Sequence, residues 1–321
     1  MMNFTGVLLG YKKNRPLTDA ERENQLRQKE RLELPLSDDL CVIKLNSTFM
    51  ETVDRYYAWR GSLTMLMGGA TALCGVGYMG FVWTTVTRWG RPDENPQHAM
   101  LFLLITGIIL FSSMGVYAWY ALKETFTFTH FPIRLNRKTR KVHVFRPGRP
   151  GRPILTADWD KLFVTLTPCP MGRGNQDWNI LAHVMADDGE TVLDTFAFSF
   201  VRDVGELDVL RGNWEFLRRY MEDGPEEAWR LVHVCMPIAE HRESLRFSFD
   251  RLHVHFMGVG LWVWYPLLPF WLLCVVGRIV SMWTSKVPVW PEHIQAQCRI
   301  GADDPYVKDE STNPKEGIYS I

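Results

Sequence analysis

The 321 residues carry 36 basic and 36 acidic side chains, and a balanced charge gives none of the basic excess that a nucleic-acid surface needs. Six cysteines stand far apart, at 41, 74, 169, 235, 274 and 298, with no C-x-x-C pair, a spacing that argues against a disulfide framework and a thiolate zinc site. Apolar residues make up 46% of the chain but crowd into three windows, so the average composition hides two different solvents.

At the start, MMNFTGVLLGYKKNRP sets its charges after a short apolar patch, the reverse of a secretory signal, so no cleavable leader is expected. Residues 1–46 read as a polar arm. Thr18 and Glu21 form a capping box for a polar helix across 19–33, with Glu23 and Arg27 paired four residues apart. So few apolar side chains predict a solvated arm, ending in the short strand DLCVIKLN at 39–46. Residues 47–61 then read as a helix capped by Ser47. Its Phe49, Val53, Tyr56 and Tyr57 share a face, which predicts a helix lying in the membrane interface.

Residues 62–87 contain 26 uncharged positions, residues 99–122 contain 24, and residues 256–277 contain 22. About 20 residues of helix cross a hydrocarbon core roughly 30 Å thick, so each window predicts a transmembrane helix, the third running over 256–282. Pro266 and Pro269 can kink that third span or make it re-entrant. Trp59, Trp83, Trp89, Trp119, Trp262 and Trp283 stand near the window ends, where amphipathic rings favour headgroups. RWGRPDENPQH, residues 88–98, closes the first two spans into a hairpin. Basic residues flank the first span on its N-terminal side and recur after the second. The positive-inside rule therefore predicts a cytoplasmic N-terminus and centre, with the hairpin loop, and the tail if the third span crosses, in the periplasm.

GVGYMG at 75–80 fits G-x-G-x-x-G, yet no strand precedes it and no acid follows about 20 positions on, as a dinucleotide site would need. Its glycines read instead as helix packing in lipid. Gly68, Ala72 and Gly75 share one face and Gly77 lies on the next, where small side chains let a neighbouring backbone approach.

Residues 124–222 predict one small cytoplasmic β domain. TFTFTHFPIRLNRKTRKVHVF alternates around an NRKT turn, KLFVTLT, WNILAHV and TVLDTFAFSF add strands, and DDGE turns between the last two. Leu207, Leu210, Trp214, Leu217 and Met221 then follow helical spacing until Gly224 and Pro225. The fold class expected is an α+β membrane protein. Three transmembrane helices, a hairpin plus one, join a small antiparallel β domain closed by an amphipathic helix. That strand-then-helix order resembles the pleckstrin-homology-like barrels attached to bacterial membrane spans. A helical connector follows at 225–255, and residues 285–321 form a polar, irregular tail.

Candidate chemistry is sparse. His253 and His255 lack a third ligand nearby, His233 and Cys235 lack a third catalytic member, and the acids at 187–190 surround a turn glycine. No catalytic residue, metal ligand or cofactor is assigned. Arg278 is the one charge inside a span, near enough to its end to snorkel. The least ordinary stretch is RPGRPGRP, 146–153. Arg146, Arg149 and Arg152 should be exposed there and, with Arg137, Lys138, Arg140 and Lys141 of the NRKTRK turn, could meet lipid headgroups or a partner.

LNSTFMETVDRYYAWRG before the first span and FPIRLNRKTRKVHVFRPGRPG after the second together resemble an uncharacterised family of proteobacterial membrane proteins. The resemblance covers most of residues 40–280. Such proteins are often encoded beside type VI secretion effectors, which implies an immunity or accessory role and, as partner, a secreted effector or secretion component. The expected function is thus a non-enzymatic inner-membrane protein that binds lipid or a protein partner through its β domain. A membrane-associated enzyme or lipid-handling protein, with its site between domain and spans, is the alternative.

Overall fold

The computed structural model describes residues 11–54, 56–91, 95–146, 154–168, 177–198, 202–254 and 261–314. In chain order its elements are β1 (Arg15–Pro16), α1 (Asp19–Glu23), β2 (Gln25–Leu26), β3 (Val42–Leu45), β4 (Phe49–Thr52), α2 (Ser62–Arg88) and α3 (Pro96–Ala121). There follow β5 (Ile133–Asn136), β6 (Lys141–Phe145), β7 (Ile154–Asp158), β8 (Leu162–Pro168), β9 (Asp177–Met185), β10 (Thr191–Ala197) and β11 (Arg202–Asp203). The chain continues through α4 (Leu207–Glu222), α5 (Glu226–Leu231), α6 (Leu245–Val254), α7 (Leu261–Thr284) and α8 (Glu292–Gln297). Two units result. A β unit comprises Met1–Ala58, Phe128–Arg251 and Lys286–Ile321, and a helical unit comprises Trp59–Thr127 and Leu252–Ser285.

In the β unit the expected strands form two antiparallel sheets where one was predicted. One runs β3-β4-β5-β6-β7, the other β1-β10-β9-β8-β2 with β11 on β9. Both line a single core containing Val144, Val164, Phe196 and Trp214. The turns match their sequence signals: the Asn136 side chain accepts the Thr139 N–H, Arg140 turns left-handed at φ 55°, and Gly189 does so at φ 68°. Helix α4 buries Leu210, Trp214, Leu217 and Met221, and the chain turns at Gly224, φ 128°.

Three expectations need correction. The helix across 19–33 stops after five residues, capping box intact, because Leu26 is drawn into the core and Gln25–Leu26 pair with β8. Arg27 accordingly pairs with Glu30, not Glu23. The arm is also fastened by Arg15 on Glu21 and by the Leu32 N–H on buried Glu215.

The interfacial helix at 47–61 gives way to a strand. Asn46 accepts the N–H groups of Thr48 and Phe49 through its side chain, which turns the backbone back on itself. Ser47 contacts Asp304 and caps no helix. Strand β4 then runs antiparallel to β5, Phe49 opposite Asn136 and Thr52 opposite Ile133, so two adjacent strands flank the whole α2–α3 segment.

The third correction concerns the tail, expected irregular. The Leu45 and Lys308 backbones exchange hydrogen bonds of 2.9 and 2.8 Å. Asn313 bonds both backbone groups of Cys235, and Trp290 lies in the core with its indole N–H on Glu51, 3.0 Å away.

In the helical unit, α2 and α3 pair antiparallel: Phe81 meets Phe102, Tyr78 meets Phe111, and Gly75 faces Met114. Their outer side chains are bare, with Leu73 74% and Val76 72% exposed, which water would oppose and lipid would not. At 1.5 Å per residue, α2, α3 and α7 are about 36–40 Å long. Among the described residues these three are long and apolar enough to cross a membrane. Near the start of α7, His253 sets its ring edge against Trp264 and Trp271, and Leu252 packs with Trp271, Cys274 and Val275.

Candidate functional site

Of the seven basic residues singled out by sequence, Arg149 and Arg152 lie outside the described residues. The β5–β6 turn brings Arg137, Lys138, Arg140 and Lys141 together. Lys138 is exposed, while Arg137 and Lys141 are half-buried. Arg140 is already occupied, its guanidinium bonding Asp160 at 3.0 Å and also reaching Glu222. Arg140 in turn holds the Asp160 carboxyl below the ordinary carboxylate range. Arg146 corrects an expectation: it is buried, not exposed, with Nη1 2.8 Å from Asp194 and Nη2 3.1 Å from the Thr195 carbonyl. Burial works against ionising Asp194, but Lys13 and Arg146 outweigh it and keep its carboxyl below the usual range. Among the described residues the positive surface is therefore centred on Arg137, Lys138 and Lys141.

Behind that turn lies His143, 1% exposed on β6, with Nδ1 2.9 Å from the Thr156 hydroxyl. Burial pushes it down to about 4, helped by the charges of Arg134, Lys141 and His293. Arg134, on the preceding strand, bonds Glu51 at 2.9 Å and lies over the rings of Phe49 and Trp290. These groups are core polar chemistry turned inward.

The most fully built polar cluster sits at three helix ends in the helical unit. Helix α2 has a glycine in place of a capping side chain, Gly61 at φ 96°, and Glu124 supplies the cap from beyond α3. Its carboxylate accepts the Gly61 N–H at 2.7 Å, the Thr64 N–H at 2.6 Å and the Thr64 hydroxyl at 2.6 Å. An anion at a helix start is favoured by unpaired N–H groups and by the dipole. Arg60 donates to the Glu124 carbonyl and the Ser285 hydroxyl, at 2.7 and 2.8 Å, and Ser281 donates to the same carbonyl at 3.0 Å. Arg278, expected to snorkel, is 0% exposed and donates to the Arg60 carbonyl. With its acceptors engaged, Glu124 acts as a clamp between segment ends.

The close approach there depends on glycine. A Cβ on Gly61 would lie 2.2 Å from the Arg278 nitrogen, and one on Gly277 would lie 2.3 Å from the Gly61 oxygen. At the predicted packing positions, Gly75 has only the tip of Met114 at 3.6 Å, while a Cβ on Gly68 or Gly77 meets nothing within 4 Å. Ala72 is exposed. Gly107, unremarked in the sequence, faces the Tyr78 ring at 3.2 Å. Sequence reasoning missed the clamp although its parts bracket the apolar windows. Charges bounding an apolar window signal orientation, and only the fold makes Arg60, Glu124 and Ser285 neighbours. Among the described residues no group of three or more His, Cys, Asp or Glu is placed to hold a metal.

Residues 108–302, more than half of the chain, match the family model described as a family of unknown function, DUF6708. The matched stretch includes Glu124, Gly277, Arg278, Ser281 and Ser285 of the clamp, together with the β5–β6 turn. No curated protein and no solved structure matches the chain.

Proposed function

The chain belongs to the DUF6708 family, and from that premise we propose a non-enzymatic inner-membrane protein whose cytoplasmic β unit binds a protein partner or the lipid surface. The observation that carries the reading is the make-up of the β unit, which gathers the chain before α2, between α3 and α6, and after α7 into one body. A soluble unit tied to apolar helices at every junction is suited to being displayed at a membrane. Two antiparallel sheets around one core, with an amphipathic helix, also support reading the unit as pleckstrin-homology-like.

Connectivity refines the topology. The chain leaves the β unit at Ala58, returns at Phe128, leaves again at Arg251 and returns at Lys286. The first excursion holds two long helices and can cross twice. The second holds one, so a single crossing would strand the tail away from its own hydrogen-bond partners. We therefore read α7 as re-entrant, supported by the packing of Leu252 and His253 against its Trp264 and Trp271. The excess of Lys and Arg in the flanks puts the β unit in the cytoplasm and the α2–α3 loop in the periplasm.

Resemblance to proteobacterial membrane proteins encoded beside type VI effectors supports the more specific version, an immunity or accessory protein whose partner is the secreted toxin or a secretion component. Deleting the gene should sensitise cells to the toxin of the neighbouring gene, and a pull-down from solubilised membranes should recover that partner on the β unit. Unchanged survival under toxin exposure rejects the immunity version.

A further inference from the structure

The chain just past α3 is folded inside out. Lys123, Glu124 and Thr125 are buried, whereas Phe126 is 73% exposed, more than any other phenylalanine among the described residues. Bonds already in place hold the polar trio inward. Glu124 caps α2, the Thr125 hydroxyl donates to the Ala121 carbonyl at 3.1 Å, and the Lys123 ammonium lies 3.6 Å from the centre of the Trp119 ring. Phe126 itself sits at φ 57°, left-handed backbone that glycine adopts freely and a bulky residue adopts only under constraint. A turn facing water would take glycine or asparagine there and keep the ring inside.

What covers the ring follows from the surface it continues. Leu101, Ile105, Ile108, Trp119 and Leu122 share one face of α3 and its C-terminal cap, and each is about half exposed. Helix α3 has 26 residues. At 1.5 Å each it is about 39 Å long against a hydrocarbon core of roughly 30 Å, so its end reaches the headgroup layer. At that level an apolar ring can sink to the boundary between headgroups and acyl chains, where surface-bound helices place Phe and Leu.

We propose that Phe126 is a membrane anchor whose ring inserts at the boundary between lipid headgroups and acyl chains, which fixes the depth of the Glu124 clamp beside it. The left-handed backbone turns the ring out of the protein and into lipid, and the inward bonds on either side of the turn hold that conformation in place. The inference rests on α3 entering a bilayer and is independent of the partner assigned to the β unit.

The test places p-benzoylphenylalanine, which keeps an aromatic ring, separately at 126, at 108 in the middle of α3 and at 139 in the β5–β6 turn of the full chain, and irradiates the membranes. Adducts one phospholipid heavier are expected from 126 and 108 and none from 139. A second protein cross-linked at 126, or no adduct at 126 while 108 gives one, overturns the anchor alone. No lipid adduct at 108 refutes the spanning reading of α3 and the anchor with it. Depth is read from a nitroxide on Phe126→Cys and on Ile108→Cys, in a background cleared of native cysteines, in phosphatidylglycerol nanodiscs. Oxygen should relax both labels more than a water-soluble nickel chelate does, by a smaller margin at 126. A label at 126 dominated by nickel returns the ring to water, and one as deep as 108 moves it off the boundary; either result overturns the proposal. Circular dichroism of each variant confirms that a change of depth is not a loss of fold.

Discussion

Two stretches of this chain leave the β unit, and they differ in a way that hydropathy does not register. The first, Trp59–Thr127, carries two long apolar helices paired along Phe81–Phe102, Tyr78–Phe111 and Gly75–Met114. The second, Leu252–Ser285, carries one, with two prolines inside it and its own N-terminal flank packed back against Trp264 and Trp271. Length and composition rate all three helices as able to span. What separates them is where the chain must go next: in the reading proposed above, the tail's bonds to β3 and to Cys235 bring the second stretch back to the side it left. A span is a property of a segment, whereas a crossing is a property of the chain.

The clamp at the helix ends ties the two stretches together, so breaking it should damage both. Glu124→Ala leaves the Gly61 and Thr64 N–H groups and the Thr64 hydroxyl without their acceptor. Each hydrogen bond to a charged group contributes about 1.5–3 kcal/mol. The expected outcome is a large fall in folded yield and thermal midpoint in detergent, with Glu124→Gln intermediate; unchanged stability would show that the three ends are not held there.

Gly61→Ala and Gly277→Ala come next. Each drives a methyl into backbone, and overpacking costs about 1–3 kcal/mol, with the left-handed φ of Gly61 adding strain. Gly77→Ala is the counterpart, with open space around it and a change within about 1 kcal/mol in either direction. Equal losses at Gly77 and Gly277, by thermal denaturation, would restore the sequence-based packing face.

Acid should sharpen the contrast between the β unit and the stretches that leave it. His143 titrates near 4 when folded and near 6.5 when free. As pH falls the unfolded chain takes up that proton first, so stability is full above about 6.5, declines towards 4 and levels off below. The loss is at most about 3.4 kcal/mol at 1.36 kcal/mol per pH unit. Denaturant unfolding of His143→Gln should show a flatter profile over that window; an unchanged slope would remove His143 as the cause.

Much of this was legible in the sequence. The apolar windows, the capping box at Thr18, the turns at 136–140 and 187–190, and helix α4 all announce themselves through local periodicity or turn chemistry. What was not legible is non-local. Residues 19–33 have helix-forming composition, yet Leu26 gains more from the core than its neighbours gain from helix. Phe49, Val53 and Tyr57 fit a helical face, but Asn46 and the waiting edge of β5 make Phe49–Thr52 a strand. Arg146 lies beside glycines and prolines that suggest exposure, and only the fold brings Asp194 to it. The clamp is the clearest case, since its members are separated by up to 225 positions.

The central claim is that the tail stays on the side from which the chain set out. Single cysteines at Thr139 in the β5–β6 turn, at Asp303 in the tail and at Gln97 beside the α2–α3 loop, in a background cleared of native cysteines, can be labelled in intact cells with a membrane-impermeant maleimide. The account predicts that positions 139 and 303 stay protected until the inner membrane is opened, while 97 reacts at once. Labelling of 303 together with 97, with 139 still protected, would mean that α7 crosses outright and that the tail cannot pair with Leu45.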